Sequence, residues 1–255
     1  DLGLAPDQRR WLVGHGVRVE VPPDPLGAAA MPGFMPYMLG QLCRPFLREI
    51  LPGHDAYIWL DADVWVQQPE GLDGLLYVMR HGLLGVCPEI HVAYKAMSTE
   101  HIPYLRYWWL RWSEVFGEEV AERFSPLPML NSGVVAIPAD HPIWSAWQDQ
   151  LRIAVRKRLR HLSEQFAFIV AAQDLPRIER LPAHWNWLSH MAMPPRHPRT
   201  GLWVDPGYPH QPIHILHLPV AHLRKQYLAR RMLYRGGAYL EDGDLPPDLR
   251  SHPIR

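Results

Sequence analysis

At 255 residues, with 47% apolar and 20% charged side chains, the chain is long enough for one α/β domain with a sizeable core, and its composition excludes disorder and fibrous structure. Its 26 basic and 26 acidic residues balance, which removes the electrostatic footprint of a dedicated nucleic-acid binder. The two cysteines, Cys43 and Cys87, each sit in an apolar segment, so buried free thiols are expected in place of a disulfide framework or a cysteine zinc site.

No apolar run reaches the roughly 18 residues of a membrane-spanning helix, and no basic segment followed by an apolar core opens the chain. Cytoplasmic residence is the expectation. The chain starts Asp1-Leu2-Gly3-Leu4 with no initiator Met, which is compatible with removal of a targeting segment. Twenty-seven prolines, about twice the usual share of roughly 5%, imply many rigid loops and favour a loop-built site.

Taken in order, residues 6 to 14 predict a short helix, with Pro6 in its first turn and Gly14 at its end. Val17, Val19 and Val21 alternate with Arg18 and Glu20, the pattern of a strand with one buried face. Residues 36 to 51 look helical. The apolar run Ala56-Tyr57-Ile58-Trp59-Leu60 suits a strand inside a parallel sheet, and it stops at Asp61-Ala62-Asp63. Ligands collect beyond the carboxyl ends of strands in open α/β sheets, so these acids are well placed for chemistry.

Further along, Leu83 to Cys87 predicts a strand and residues 101 to 123 a helix with the aromatic cluster Tyr104, Tyr107, Trp108, Trp109 and Trp112. Met129 to Ile137 reads as a strand interrupted by Asn131-Ser132-Gly133, where Gly133 allows close backbone approach to a ligand. Residues 142 to 173 predict two helices meeting near Leu162-Ser163, with Ser163 as a cap. In the late strand Ile213 to Leu218, a period of two places Ile213, Ile215 and His217 on one side and His214 and Leu216 on the other. The expected organisation is one catalytic domain over residues 1–235 and an irregular tail over 236–255.

Two carboxylates two positions apart in a bent segment can reach one hard cation, although the same tripeptide also occurs as a solvated turn. With its strand, Tyr57-Ile58-Trp59-Leu60-Asp61-Ala62-Asp63-Val64 resembles the aspartate motif of the GT-A glycosyltransferases, especially retaining family 8. Leu130-Asn131-Ser132-Gly133-Val134 is similar to that family's second signature, in the expected order. The resemblance implies an α/β, Rossmann-like, mostly parallel sheet flanked by helices. The usual first nucleotide-binding strand would precede Asp1.

That resemblance also implies site residues. Asp61, Asp63 and His217 would hold a divalent cation, and the imidazole favours Mn2+ over Mg2+ or Ca2+. His214 is the rival histidine. Asp63, Glu164 and Gln165 would serve catalysis. Arg44, Asp61, Asn131, Ser132, Gly133 and Lys225 would meet the donor, a nucleotide sugar of the UDP-hexose type. Trp185 and Asn186, from Trp185-Asn186-Trp187, would face a saccharide or lipid-linked acceptor. Bland alternatives are a surface cation for Arg44, a helix-face acid for Glu164 and core aromatics for the tryptophans. The family's Gly and Lys after the histidine are missing, with Pro219, Val220, His222, Arg224 and Lys225 there instead, so the phosphate clamp is altered.

Rival functions are a haloacid-dehalogenase-like phosphatase, with the first acid of Asp-x-Asp as nucleophile, and a carbohydrate-binding relative without turnover. Trp65 and the late position of the motif speak against the phosphatase. The aromatic and basic stretches, Tyr104 to Arg111 and Arg152 to His161, allow a peripheral membrane contact, against which ordinary packing and a solvated helix face weigh more.

Overall fold

The computed structural model describes residues 1–94, 101–173 and 175–219, without the side chains of 101–104. In chain order the elements are α1 (Pro6–Gly14), α2 (Met38–Leu42), α3 (Leu47–Ile50), β1 (Ala56–Leu60), β2 (Val64–Val66), α4 (Glu70–Arg80), β3 (Leu84–Pro88), α5 (His101–Val115) and α6 (Glu118–Phe124). They continue with β4 (Leu130–Pro138), α7 (Ile143–Lys157), α8 (Ser163–Gln173), β5 (Ile178–Arg180), β6 (Trp187–Leu188) and β7 (Ile215–His217). The class is mixed α/β, two sheets flanked by helices.

The first sheet has the order β1-β4-β3-β5 and the second β2-β7-β6. Pairings β1–β4, β3–β4 and β2–β7 are antiparallel, and β3–β5 and β6–β7 are parallel. The sheets are therefore mixed, which corrects the mostly parallel arrangement expected. An apolar run shows that both faces of a strand are covered but not the direction of its neighbours.

Central strand β4 is buried along its whole length, polar residues included. It runs opposite β1 without a break, Ala56 facing Pro138 and Leu60 facing Val134. Toward β3 the register jumps: Val86 faces Val135 but Cys87 faces Asn131, leaving Ser132, Gly133 and Val134 without partners on that strand. The predicted interruption is thus a bulge, a device that re-aims side chains next to sites.

The main core lies between this sheet and helices α5 to α8 and is built on Trp108, Trp112, Trp144, Trp147, Phe166 and Phe168. Helix α7 turns Ile143, Trp144, Trp147, Leu151, Ala154 and Val155 inward, an amphipathic face of helical period. Helix α8 is buried nearly all round, so its Glu164 and Gln165 must find partners inside the protein. Both cysteines are buried and unpaired with each other; burial pushes the Cys43 thiol up to about 11 and Cys87 higher still.

Two local expectations fail. Val17 to Val21 forms no strand, and Val17 and Val21 are 45% and 64% exposed: alternation defines a face, but no described strand offers it a hydrogen-bonding edge. The helix expected over 36–51 is divided into α2, a 3-10 turn at Arg44–Phe46 and α3, because Pro45 has no N–H to donate. Among the described residues, no helix is long and apolar enough to cross a membrane.

Candidate metal centre

Asp61 and Asp63 flank the turn where the chain leaves the first sheet for the second, closed by the Val64 N–H donating to the Asp61 carbonyl at 3.0 Å. The Asp61 N–H donates to the Gly133 carbonyl at 2.8 Å, which draws the β4 bulge against the first acid. On the other side β7 pairs with β2, Val64 facing His217, and the Leu218 N–H donates to the Asp63 carbonyl at 2.9 Å. Backbone pairing therefore delivers an imidazole from residue 217 to acids at 61 and 63.

His217 Nε2 lies 3.3 Å from Asp63 Oδ1 and 4.0 Å from Asp61 Oδ2. One ligand atom from each of the three residues lies within 4.8 Å of the others. The acids are partly open, with side chains 22% and 29% exposed, and the imidazole is buried. Gly133 forms the floor: a Cβ there would stand 2.4 Å from His217 Cε1 and 2.8 Å from Asp61 Oδ2. Two carboxylates, an imidazole and a cradle that a methyl group would fill suit a divalent ion bound by nitrogen and oxygen.

Arg44 organises the carboxyl groups behind this cluster. It is 4% exposed, and its Nη1 donates to Ser132 Oγ at 2.8 Å and Glu164 Oε2 at 2.5 Å, while Nη2 donates to Asp61 Oδ1. The guanidinium also lies over the Trp59 ring, whose Nε1 donates to Asp61 Oδ1 at 2.6 Å. Asp61 is thereby held by one oxygen, with Oδ2 left toward His217 and Gly133. Burial pulls the guanidinium down, but Glu164 and Asp61 overcompensate, so it is held above its ordinary value.

Glu164 is pushed up to about 7 by burial, against the pull of Arg44 and with the charge of Asp61 adding to the rise. Its Oε2 takes the bonds from Arg44 and Ser132, the latter at 3.2 Å, while Oε1 is buried with no partner among the described residues. Next to it, Gln165 Nε2 donates to Glu89 Oε1 at 3.1 Å. Asn131 Nδ2 donates to the same oxygen at 2.9 Å, and Asn186 lies between Asn131 and His217. Asn186 thus joins the cluster through His217.

Trp185 packs against α4, the alternative weighed for it in the sequence. Its Nε1 donates to the Gly71 carbonyl at 3.1 Å, and the indole occupies the space over Gly74 of α4, where a Cβ would come within 2.5 Å of it. Gly74 makes a seat for this ring and the Gly71 carbonyl takes its N–H, which commits it to packing. His214 packs against Trp185 with its ring tilted by 42° and 4.4 Å between centroids, so the period of two separates the rival histidines as expected. Lys225, Arg224 and the tail from 236 lie outside the described residues.

Two neighbours of the cluster went unnoticed in the sequence. Glu89 directly follows the apolar strand β3, the same placement that drew attention to Asp61. His190 lies close to His217 and Asp63, and burial pushes it down to about 4, with the charge of His217 adding to the fall. A second group with metal-ligand chemistry, His91, His184 and Asp205, lies beside β6. There Asp205 Oδ2 sits 2.9 Å from His91 Nε2 and 3.0 Å from His184 Nε2.

No protein-family model matches the chain, and no curated protein matches it in sequence. Among solved structures, the chain is similar to mouse xyloside xylosyltransferase 1 in its apo form, at 16% identity and a TM-score of 0.44. The similarity covers 74% of this chain and 66% of that one. What the site does therefore has to come from its own residues.

Proposed function

We propose that the chain is a metal-dependent glycosyltransferase that moves a hexose from a nucleotide sugar, of the UDP-hexose type, to a saccharide or lipid-linked acceptor. The observation that carries this is the convergence of Asp61, Asp63 and His217 on one cradle floored by Gly133, at the end of an apolar strand. A cation bound there, Mn2+ or Mg2+, supplies Lewis-acid neutralisation of a diphosphate leaving group. Asp63 and His217 would hold it, with Asp61 Oδ2 as third ligand or as a contact to the donor ribose.

The chain's own groups do the positioning. Arg44 ties Asp61 and Glu164 together, and Ser132 braces both Arg44 and Glu164. The unpartnered Glu164 Oε1 is a buried acceptor that a donor hydroxyl would satisfy, or that would face positive charge developing at the anomeric carbon. Gln165 and Asn131 line the same corner. Retention of configuration, with the acceptor attacking on the face the diphosphate leaves, follows from the family resemblance.

A phosphatase with Asp61 as nucleophile fits less well, since Arg44 and Trp59 already occupy Asp61 Oδ1. The test is UDP release from a panel of UDP-sugars with Mn2+. The expected result is metal-dependent release that vanishes in Asp63→Ala. Hydrolysis of phosphate monoesters without nucleotide dependence, or Mn2+ and UDP binding with no turnover of any donor, would overturn the assignment in favour of a phosphatase or a binding protein respectively.

A further inference from the structure

Four buried polar side chains from four separate segments form an unbroken line beneath the acids. Glu89 follows β3, Asn131 lies on β4, Asn186 precedes β6 and His217 lies on β7, each 8% exposed or less. Asn131 Nδ2 lies 2.9 Å from Glu89 Oε1, Asn186 Nδ2 lies 2.8 Å from Asn131 Oδ1, and His217 Nδ1 lies 2.9 Å from Asn186 Oδ1.

An amide can be turned either way and an imidazole can hold its proton on either nitrogen, so a chain of such groups has a direction only where something polar in one sense anchors it. Two anchors are present. The Gly133 backbone N–H, which can only donate, points to Asn131 Oδ1 at 3.0 Å. The Glu89 carboxylate, which when ionised can only accept, takes Asn131 Nδ2 and also Gln165 Nε2. Both demand the same orientation of Asn131. Its Oδ1 then needs the amide N–H of Asn186, which turns the Asn186 carbonyl toward His217.

We infer that Glu89, Asn131 and Asn186 form a directed hydrogen-bond chain that puts a proton of His217 on Nδ1 and turns Nε2 toward Asp61 and Asp63. They are positioning residues: none needs to touch substrate or ion. Supporting groups of this kind fix the ring orientation and tautomer of a ligating histidine. The other histidine cluster shows the opposite polarity. His91 Nδ1 accepts the Ala93 N–H at 3.2 Å, so the proton of neutral His91 stands on Nε2 and points to Asp205. In that group the Nε2 proton points to the acid, whereas in the His217 group the proton on Nδ1 points away from the acids.

The tautomer is a property of the metal-free protein; its consequence for a cation rests on the metal site proposed above. The experiment is therefore double. First, nitrogen-15 imidazole NMR of the metal-free full chain, at about pH 8, identifies His217 by the signal lost in His217→Gln. The expected form is Nδ1–H. An Nε2–H form in the wild type overturns the inference.

Second, Mn2+ affinity is measured by calorimetry on Asn186→Ala and Asn186→Asp. Asn186→Ala is expected to lose the Nδ1–H preference and to bind Mn2+ about 10- to 100-fold more weakly. Asn186→Asp keeps an acceptor for Nδ1–H but loses the N–H that serves Asn131 Oδ1, so it is expected to keep the Nδ1–H preference and to bind Mn2+ more tightly than Asn186→Ala. A folded Asn186→Ala with wild-type affinity overturns the positioning role and leaves the metal site standing. An Nδ1–H wild type that binds no Mn2+ removes the metal site and upholds the hydrogen-bond chain.

Discussion

Replacing Gly133 by alanine drives a methyl group into the centre of the acid–imidazole cluster. Gly133 is not in the left-handed region, so the alanine backbone is tolerated and the effect is one of space. The new carbon would stand 2.4 Å from His217 Cε1, 2.8 Å from Asp61 Oδ2 and 2.9 Å from Asn131 Oδ1. Carbon atoms rest at about 3.5–4.0 Å from one another in packed interiors, so the imidazole must retreat by about 1 Å. A metal site tolerates about 0.2 Å in its ligand distances. Overpacking of this kind costs about 1–3 kcal/mol, and a chain of this size loses about 2–4 °C in Tm for each kcal/mol. The expected outcome is a Tm lowered by several degrees in metal-free protein, together with Mn2+ binding weakened by more than about tenfold, the lower bound for disturbed supporting groups. Thermal melts with and without Mn2+, plus calorimetric titration, measure both. Gly14→Ala is the control, since nothing lies within 4 Å of its added carbon. Wild-type melting and wild-type Mn2+ affinity in Gly133→Ala would refute the close approach.

Arg44→Met leaves the carboxyl groups of Asp61 and Glu164 without their shared counter-charge, and breaking a buried pair costs about 3–5 kcal/mol; urea denaturation is expected to show that loss at neutral pH and a smaller one in acid, where Glu164 takes a proton. Glu164 holds its proton in the folded state between the ordinary value of 4.5 and about 7, where the unfolded chain has released it. More protons are then bound folded than unfolded, so its contribution to stability falls as pH rises through that window. Glu164→Gln removes this slope, and the difference between its urea midpoint and that of the wild type should change across the window. His214→Gln is expected to bind Mn2+ as the wild type does, because that ring packs against Trp185; a weakened affinity would reopen the choice between the two histidines.

Signals that are local in the chain were legible before any fold was known. The apolar run at 56–60 became β1 with those bounds, and the break near Leu162-Ser163 separates α7 from α8. The alternation through Ile213 to Leu218 separated His217 from His214, because a pleated strand turns successive side chains to opposite faces whatever it pairs with. The same kind of alternation misled at Val17 to Val21, where the pattern had a face but no neighbouring edge.

Partners distant in sequence were another matter. Arg44 meets Glu164 across 120 positions and Asn131 meets Glu89 across 42, and nothing in either segment announces the other. Those encounters depend on the register of β4 against β3, the bulge at Ser132 to Val134 and the pairing of β7 with β2. Residue types and strand ends mark where acids and an imidazole can act together. The direction in which His217 carries its proton is a cooperative property of hydrogen bonds between segments, and it exists once the sheets are assembled.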